Sequence, residues 1–304
     1  MRFEILAGIP LLCVSAASAG VLYDASLGTL PGAQGWDYQA NPNAGPVTQS
    51  VAGGVLTLNS LTSRGDRAGY NSRTPVIDPS PHPGVPTLDR TTGYTVSFDV
   101  RIVQEGNNPG NDANGDGIGD RAGFSVIALS SDLVGIEIGF WEDEVWAQED
   151  DSSAANELFT HAEGSPLDTT ASIQRYHLTV QGSTYELRRG GALLLTGPVR
   201  DYTNASGLAG LVYNTPSYIF MGDNTGSAEA SVEMTLVSLT IPPPTFCPGD
   251  ISGDGSTSLA DFALLANNFG LQATATLADG DLTLDGDVSL ADFSALANDF
   301  GCAG

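Results

Sequence analysis

Two twelve-residue stretches near the end of the chain put oxygen-bearing side chains at alternate positions. In the first, Asp250, Ser252 and Asp254 stand at positions one, three and five, and Gly255 supplies a turn at six. Ser256 offers its carbonyl at seven, Ser258 a hydroxyl at nine and Asp261 a carboxylate at twelve. In the second, Asp281, Thr283, Asp285, Gly286, Asp287, Ser289 and Asp292 repeat the pattern at a constant offset of 31 residues. A hard divalent cation takes six to eight oxygens, and this spacing wraps a chain so as to deliver them. The expected chemistry is one Ca2+ per loop. A third stretch is less complete: Asp112, Asn114, Asp116 and Asp120 take positions one, three, five and nine, with the Ile118 carbonyl at seven. Its twelfth position is Gly123, so a closing ligand must come from elsewhere. A third Ca2+ and a plain polar turn both stay open there.

The elements around the paired loops follow from apolar spacing. Phe262, Leu265, Ala266 and Phe269 recur at helical intervals after the first loop, and Phe293, Leu296, Ala297 and Phe300 after the second. Each set predicts a short helix whose stripe is buried against the other, ended by Gly270 or Gly301 in a left-handed conformation. From Cys247 onward there are nine aspartates and no basic residue, so two Ca2+ ions would offset four of those nine charges. Cys247 precedes the first loop and Cys302 follows the second helix. Outside an N-terminal leader they are the only cysteines, which in an exported chain reads as one disulfide. Closing so long a loop stabilises by about 4 kcal/mol through chain entropy.

Tandem loop–helix units with no leading helix and with aspartate at position twelve resemble dockerins. The resemblance covers residues 247–304 and implies calcium-dependent folding and docking onto a cohesin-like receptor module or surface component. One departure bears on the receptor. Positions ten and eleven, which in many dockerins hold a recognition pair such as Ser-Thr, hold Leu259-Ala260 and Leu290-Ala291 here.

The rest of the chain sets the context. Residues 1–19 read as a secretory leader: Arg2, an apolar run from Ile5 to Val14, and Ala17-Ser18-Ala19 as a cleavage site. No later apolar run is long enough to span a bilayer, so the mature protein is expected secreted or at the cell surface. Formal net charge is −25, and all eleven basic residues are arginine. Such a chain repels nucleic acid, and the absence of lysine excludes a P-loop and Schiff-base chemistry.

Residues 20–240 show alternating segments bounded by turn residues, followed by a stiff connector at 241–246. Val55–Asn59, Tyr94–Ile102, Phe124–Leu129, Val134–Trp141, Tyr176–Val180 and Ser231–Val237 read as strands, and Tyr185–Leu195 as a hairpin turning at Gly190-Gly191. The class is mainly β, a β-sandwich with a small helical module behind it. The segment order resembles concanavalin-like jelly rolls. Four strings, Leu22 to Pro31, Asp120 to Ser125, Gly135 to Trp141 and Phe220 to Thr225, resemble the exported bacterial choice-of-anchor domains, of the type designated Y. That resemblance implies surface display and carries no established reaction.

One string looks enzymatic. Glu137-Ile-Gly-Phe-Trp-Glu142 resembles the strand on which laminarinase-type hydrolases carry Glu, Asp and Glu, but Gly139 stands at the central acid. Strand alternation also sends Glu142 to the face opposite Glu137. Trp141, Trp146, Phe140 and Tyr218 are candidates for stacking on sugar rings. The expected function is therefore a non-enzymatic exported sandwich, tethered through its calcium-binding tail and contacting carbohydrate. The alternative is a polysaccharide-degrading glycoside hydrolase with the same anchor.

Overall fold

The structure, a computed structural model, describes residues 18–41, 45–73, 82–106, 111–112, 115–149, 160–205, 212–241 and 247–302. The leader at 1–19 lies outside these except for Ser18 and Ala19, as do Asn114 and residues 242–246 of the connector.

Two antiparallel sheets of eight strands each face one another. The first runs β13 (Ala192–Pro198), β12 (Thr184–Arg189), β11 (Gln174–Gln181), β6 (Tyr94–Gly106), β16 (Glu229–Ile241), β4 (Val55–Asn59) and β3 (Thr48–Ala52). Strand β1 (Ser18–Asp24) joins the same edge of β16 further along, and takes in the last two residues assigned to the leader. The second sheet runs β10 (Thr160–Pro166), β9 (Glu144–Glu149), β8 (Val134–Phe140), β7 (Ser125–Leu129), β15 (Tyr218–Asp223), β5 (Arg67–Asn71) and β2 (Asp37–Asn41). Strand β14 (Arg200–Asp201) pairs with the start of β8.

Period-two alternation explains the first sheet. On β6, Val96, Phe98, Val100 and Ile102 point into the sandwich and are fully buried. Asp99 and Arg101 point outward, where Asp99 takes two hydrogen bonds from Arg175 at 2.6 and 2.9 Å and Arg101 reaches Glu233 at 2.7 Å. The second sheet breaks this rule. Strands β7 and β15 are buried along their whole length, and β8 from Gly135 on, because a second apolar cluster covers the outer face. That cluster holds Ile127, Leu129, Tyr202, Tyr213, Tyr218 and Phe220.

Two helices close the chain, α1 (Leu259–Asn268) and α2 (Leu290–Asp299). Ser258 and Ser289 cap them, and Asp261 and Asp292 complete capping boxes by accepting the cap residues' own N–H groups. Gly270 and Gly301 are left-handed, with φ of 93° and 90°. The expectation that the apolar stripes bury each other needs correcting. Leu265 and Leu296 are buried around Val288, but Phe262 and Phe293 are 39% and 40% exposed, and Phe269 and Phe300 52% each. Ten-residue helices are too short to hide four side chains apiece, and the loops between them supply the remaining core.

Each loop is pinned to the end of the other repeat's helix. Val288 exchanges backbone hydrogen bonds with Gly270 and Leu271, both 2.9 Å, and Thr257 does the same with Gly301 and Cys302 at 2.9 and 3.0 Å. The Cys247–Cys302 disulfide forms across these ends.

The sandwich core is densest where Phe98 stacks on Tyr176 with centroids 5.7 Å apart and meets the edge of Phe140 at 5.9 Å. Truncating Phe98 to alanine is expected to lower stability by about 3–5 kcal/mol. Urea unfolding measures this, and a loss below about 1 kcal/mol would mean that the two sheets do not pack as described.

Candidate functional site

The two tail loops share a pattern of backbone-to-carboxylate hydrogen bonds, although only in the second do three carboxylates converge. The Asp250 carboxylate accepts the N–H groups of Gly253, Asp254 and Gly255 at 2.7, 3.1 and 2.8 Å. Asp281 accepts those of Asp285 and Gly286 at 3.1 and 2.9 Å. Further round, Asp254 accepts from Ser256 N–H and Asp285 from Asp287 N–H. The twelfth-position carboxylates close each ring from behind: Asp261 accepts the N–H of Ser252 at 2.8 Å, and Asp292 that of Thr283 at 2.9 Å. Asp261 and Asp292 are fully buried. Burial alone would raise their pKa values, but the backbone N–H groups outweigh it and leave both carboxyls below the usual range.

All twelve residues assigned to the paired sites, Asp250, Ser252, Asp254, Ser256, Ser258 and Asp261 with Asp281, Thr283, Asp285, Asp287, Ser289 and Asp292, thus sit on two rings. Carboxylate oxygens of Asp281, Asp285 and Asp292 lie within 4.8 Å of one another. Three carboxylates at that separation, with no basic residue in this part of the chain, fit a divalent cation held by oxygen alone. The other grouping of this kind, Cys247 and Cys302 with Asp299, is no metal site, because its sulfurs are joined in the disulfide.

The described residues between Asp112 and Asp120 show the same kind of hydrogen bonds. Asp112 accepts from Gly115, Asp116 and Gly117 at 2.6, 3.0 and 2.8 Å, and Asp116 from Ile118 at 2.7 Å. Gly115 and Gly117 have φ of 78° and 89°, against 75° and 88° for Gly253 and Gly255. Asn114 lies outside the described residues. The closing side differs. Asp120 is buried and takes the His161 N–H at 2.9 Å, and a Cβ on Gly123 would meet the Glu229 backbone at 2.3 Å, so no side chain can stand at position twelve.

The outer face of the second sheet carries a separate polar network. Glu137 projects outward from β8 between Gly135 and Gly139 and is 5% exposed. The Tyr213 hydroxyl donates to its Oε2, and Asn224 Nδ2 to its Oε1 at 3.0 Å. Gln148 Nε2 donates to the Tyr213 oxygen at 3.2 Å and Gln148 Oε1 accepts from the Tyr202 hydroxyl at 3.2 Å, while the Tyr202 and Tyr213 rings stack 4.6 Å apart. Burial pushes the Glu137 carboxyl above its usual range despite the Tyr213 and Asn224 bonds and the charge of Arg121. Burial and the Glu137 charge push Tyr213 well up too. Burial thus favours the protonated form of each group.

Beside this network a cavity of about 280 Å3 opens over β2, β5 and β15, lined by Gln39, Arg67, Asn71, Phe220, Asp223 and Asn224 among others. On its other side Trp141 and Trp146 stack on His161, with centroids 5.4 and 4.9 Å away, and His161 Nε2 lies 3.2 Å from Glu144. Of the aromatics considered for sugar stacking, Trp141 and Trp146 share this cluster. Phe140 is corrected to the sandwich core and Tyr218 to the buried outer cluster, because β8 and β15 are covered on both faces. Sequence reasoning passed over Tyr213, Gln148, Asn224 and His161, which lie far from Glu137 in the chain. The available signal was Gly-x-Glu-x-Gly on β8, a carboxylate flanked by glycines on one strand face.

No family model matches the chain, and no curated protein does. Among solved structures it is similar to a carbohydrate esterase from the Shiga toxin-encoding bacteriophage phi24B, at 11% identity and TM-score 0.45, over 74% of this chain and all of that one. It is similar to a Bacillus licheniformis beta-glucanase at 13% identity and TM-score 0.38, over 74% and 98%. It is also similar to alginate lyase A1-II', of polysaccharide lyase family 7, at 12% identity and TM-score 0.36, over 64% and 82%. At such identities the likeness is one of fold. The expectation of a non-enzymatic chain is corrected to this extent: structures of similar fold include a glucanase and alginate lyases, so the fold gives no ground for setting catalysis aside.

Glu142 does not join Glu137. It sits in the turn after β8 and accepts the Glu105 N–H at 2.8 Å. Burial, then Glu142 and then Asp143, push the Glu105 carboxyl up to about 8. Folding therefore retains a proton that the unfolded chain gives up near its ordinary pKa. Stability falls as pH rises between the two values, and the full penalty stands above about 8. Glu105→Gln is expected to match the parent at pH 4 and to exceed it in urea midpoint at pH 9. Equal midpoints at pH 9 would show that Glu105 ionises freely.

Proposed function

We propose that this chain is an exported polysaccharide-cleaving enzyme that works on the outer face of its second sheet and is held in place by a calcium-loaded tail. The observation that carries the enzymatic part is the placement of Glu137, a buried carboxyl held by Tyr213 and Asn224, on a strand face stripped to glycine at both neighbouring positions and beside an open cavity. In its protonated form a carboxyl at this place can give its proton to a glycosidic oxygen as the carbon–oxygen bond breaks, while water from the open cavity adds to the anomeric carbon and loses the proton that restores the acid. Tyr213 and Asn224 hold it in orientation, and the stacked Trp141, Trp146 and His161 border the same face. What favours sugar as substrate is this pairing of aromatic rings with a proton donor, in line with the activities named for the glucanase and the lyases.

The tail reading rests on the convergence of Asp281, Asp285 and Asp292 and on the matched ring around Asp250. Two Ca2+ ions would sit there, held by the side chains at positions one, three, five and twelve of each loop, with a third over Asp112, Asp116, the Ile118 carbonyl and Asp120. Bound calcium would neutralise the crowded carboxylates and rigidify the module. A cohesin-like receptor would meet the exposed Leu259 and Leu290 and the Phe262–Phe293 pair, whose centroids lie 5.9 Å apart.

Incubation with a panel of extracellular polysaccharides is expected to release reducing ends. Glu137→Gln is expected to lower that rate by about a hundredfold or more, with an unchanged melting temperature. A variant as active as the parent, or a parent inert on the whole panel, sinks the enzymatic reading. Calorimetry of the full chain is expected to show at least two Ca2+ ions bound, one of them lost in Asp281→Ala, and chelator is expected to speed amide exchange in 250–300. Absence of calcium heat, or unaltered exchange, overturns the tail reading.

A further inference from the structure

The cavity over β2, β5 and β15 holds a cation that the rest of the fold leaves unanswered. Ala68 and Tyr70 of β5 belong to the sandwich core, so Arg67, Gly69 and Asn71 face outward into the cavity. Six arginines, Arg64, Arg90, Arg101, Arg175, Arg188 and Arg200, pair with carboxylates. Among the described residues no carboxylate oxygen lies within ion-pair distance of Arg67, and its buried Nε has no hydrogen-bond partner. Asn224 has spent its Nδ2 on Glu137, while its Oδ1 is buried without a partner. One buried nitrogen of the half-buried Arg67 and one buried oxygen of Asn224 therefore face the same open cavity without a protein partner, so a ligand entering it meets a donor and an acceptor that are still free to bond.

The shape of the cavity narrows the ligand. Gly69 belongs to its lining and leaves room for the Phe220 ring, which a Cβ there would strike at 2.3 Å. Phe220 gives an apolar wall. About 280 Å3 lies at the small end of the range of ligand pockets, the size of a sugar unit or two. A guanidinium fork matches a planar carboxylate or a sulfate, where lysine would offer only a point charge. Asp223 shares the cavity, but burial holds its carboxyl well above the usual range, and Ser60 and Thr225 already donate to it. Its oxygens are thus engaged by these donors, although it still feels the Arg67 charge.

We propose that the cavity beside Glu137 is a subsite for an anionic sugar, whose carboxylate or sulfate ester is gripped by Arg67 and whose ring lies on Phe220 with a hydroxyl to Asn224. This deepens the reading of the face as a glycan site and depends on it. The ligand is anionic even though the chain as a whole carries −25, so capture must rely on this local contact rather than on long-range attraction.

The test is equilibrium binding by the full chain, measured apart from turnover, with three oligosaccharides of equal length: a uronate, a sulfated sugar and a neutral sugar. The expected result is binding of the uronate or the sulfated chain, at least tenfold tighter than the neutral one. Arg67→Met should weaken it tenfold or more and Arg67→Lys by an intermediate factor, with neutral-sugar binding and melting temperature unmoved. Uronate preference over sulfate, or the reverse, identifies the anion. Equal affinity for neutral and anionic chains, no binding of either anion, or full affinity in a folded Arg67→Met overturns the proposal. Arg67-dependent binding without cleavage would sink the enzymatic reading alone. Cleavage of neutral glycan indifferent to Arg67 would sink this one alone.

Discussion

A sandwich sheet ordinarily has one dry face and one wet face, and the constraint that shapes this molecule is that the middle of its second sheet is covered on its outer face too, save where the cavity opens over β15. Strands β7, β8 and β15 are packed against the first sheet on one side and under Tyr202, Tyr213 and their neighbours on the other. A carboxylate placed there cannot be solvated, so Glu137 must be hydrogen-bonded, neutral or both. The fold supplies tyrosine and asparagine donors from elements distant in sequence, and the same cover that dries Glu137 walls the adjoining cavity. Proton donor and binding space are two consequences of one buried face.

The tail meets the opposite problem, too little apolar material. Its helices bury one leucine each, and its net charge is entirely negative. Cohesion comes instead from reciprocity. Thr257 and Val288, one in each loop, bond to the chain just beyond the helix of the other repeat, so neither repeat is complete alone. Asp299 ties the same end down by accepting from Gly249 N–H at 2.7 Å and Thr257 Oγ1 at 2.5 Å, and its counterpart Asn268 donates to the Asp279 carbonyl at 2.9 Å. The disulfide then joins the two ends that this exchange already brings together. The proposed cations would act on an assembly whose backbone is closed but whose carboxylates repel.

Much of this was legible because it is periodic. Alternation marked β4, β6, β11 and β16, where one face is dry, and the 31-residue offset marked both loops and both helices. The Cys247–Cys302 bond followed from cysteine count. What stayed hidden lacks local period. Strand β5, Arg-Ala-Gly-Tyr-Asn, is short and interrupted by glycine, and β15 is buried on both faces, so neither alternates. The Glu137 site was hidden for a deeper reason: Tyr213, Gln148 and Asn224 reach it from three other parts of the chain. Helical spacing misled at Phe262 and Phe293, which are large and apolar yet remain partly exposed. Periodicity reports which side chains share a face and is silent on whether anything covers that face.

The stretch from Asp112 to Gly123 shows how one loop chemistry is put to different structural use. In the tail, the ninth-position serine caps a helix and the twelfth-position aspartate closes the ring. In the sandwich there is no helix to cap. Asp120 turns away to hold the His161 backbone, and Arg121 gives its carbonyl to Trp141 Nε1 at 2.8 Å. The loop is therefore fastened to β10 and to the indole that stacks on His161. Any cation gathered by Asp112 and Asp116 would act on the tryptophan–histidine cluster through two hydrogen bonds, whereas a cation in the tail acts on helix ends alone. The same sequence pattern thus serves cohesion in one domain and positioning of a candidate glycan face in the other, and what separates the two roles is the partner taken by the ninth residue.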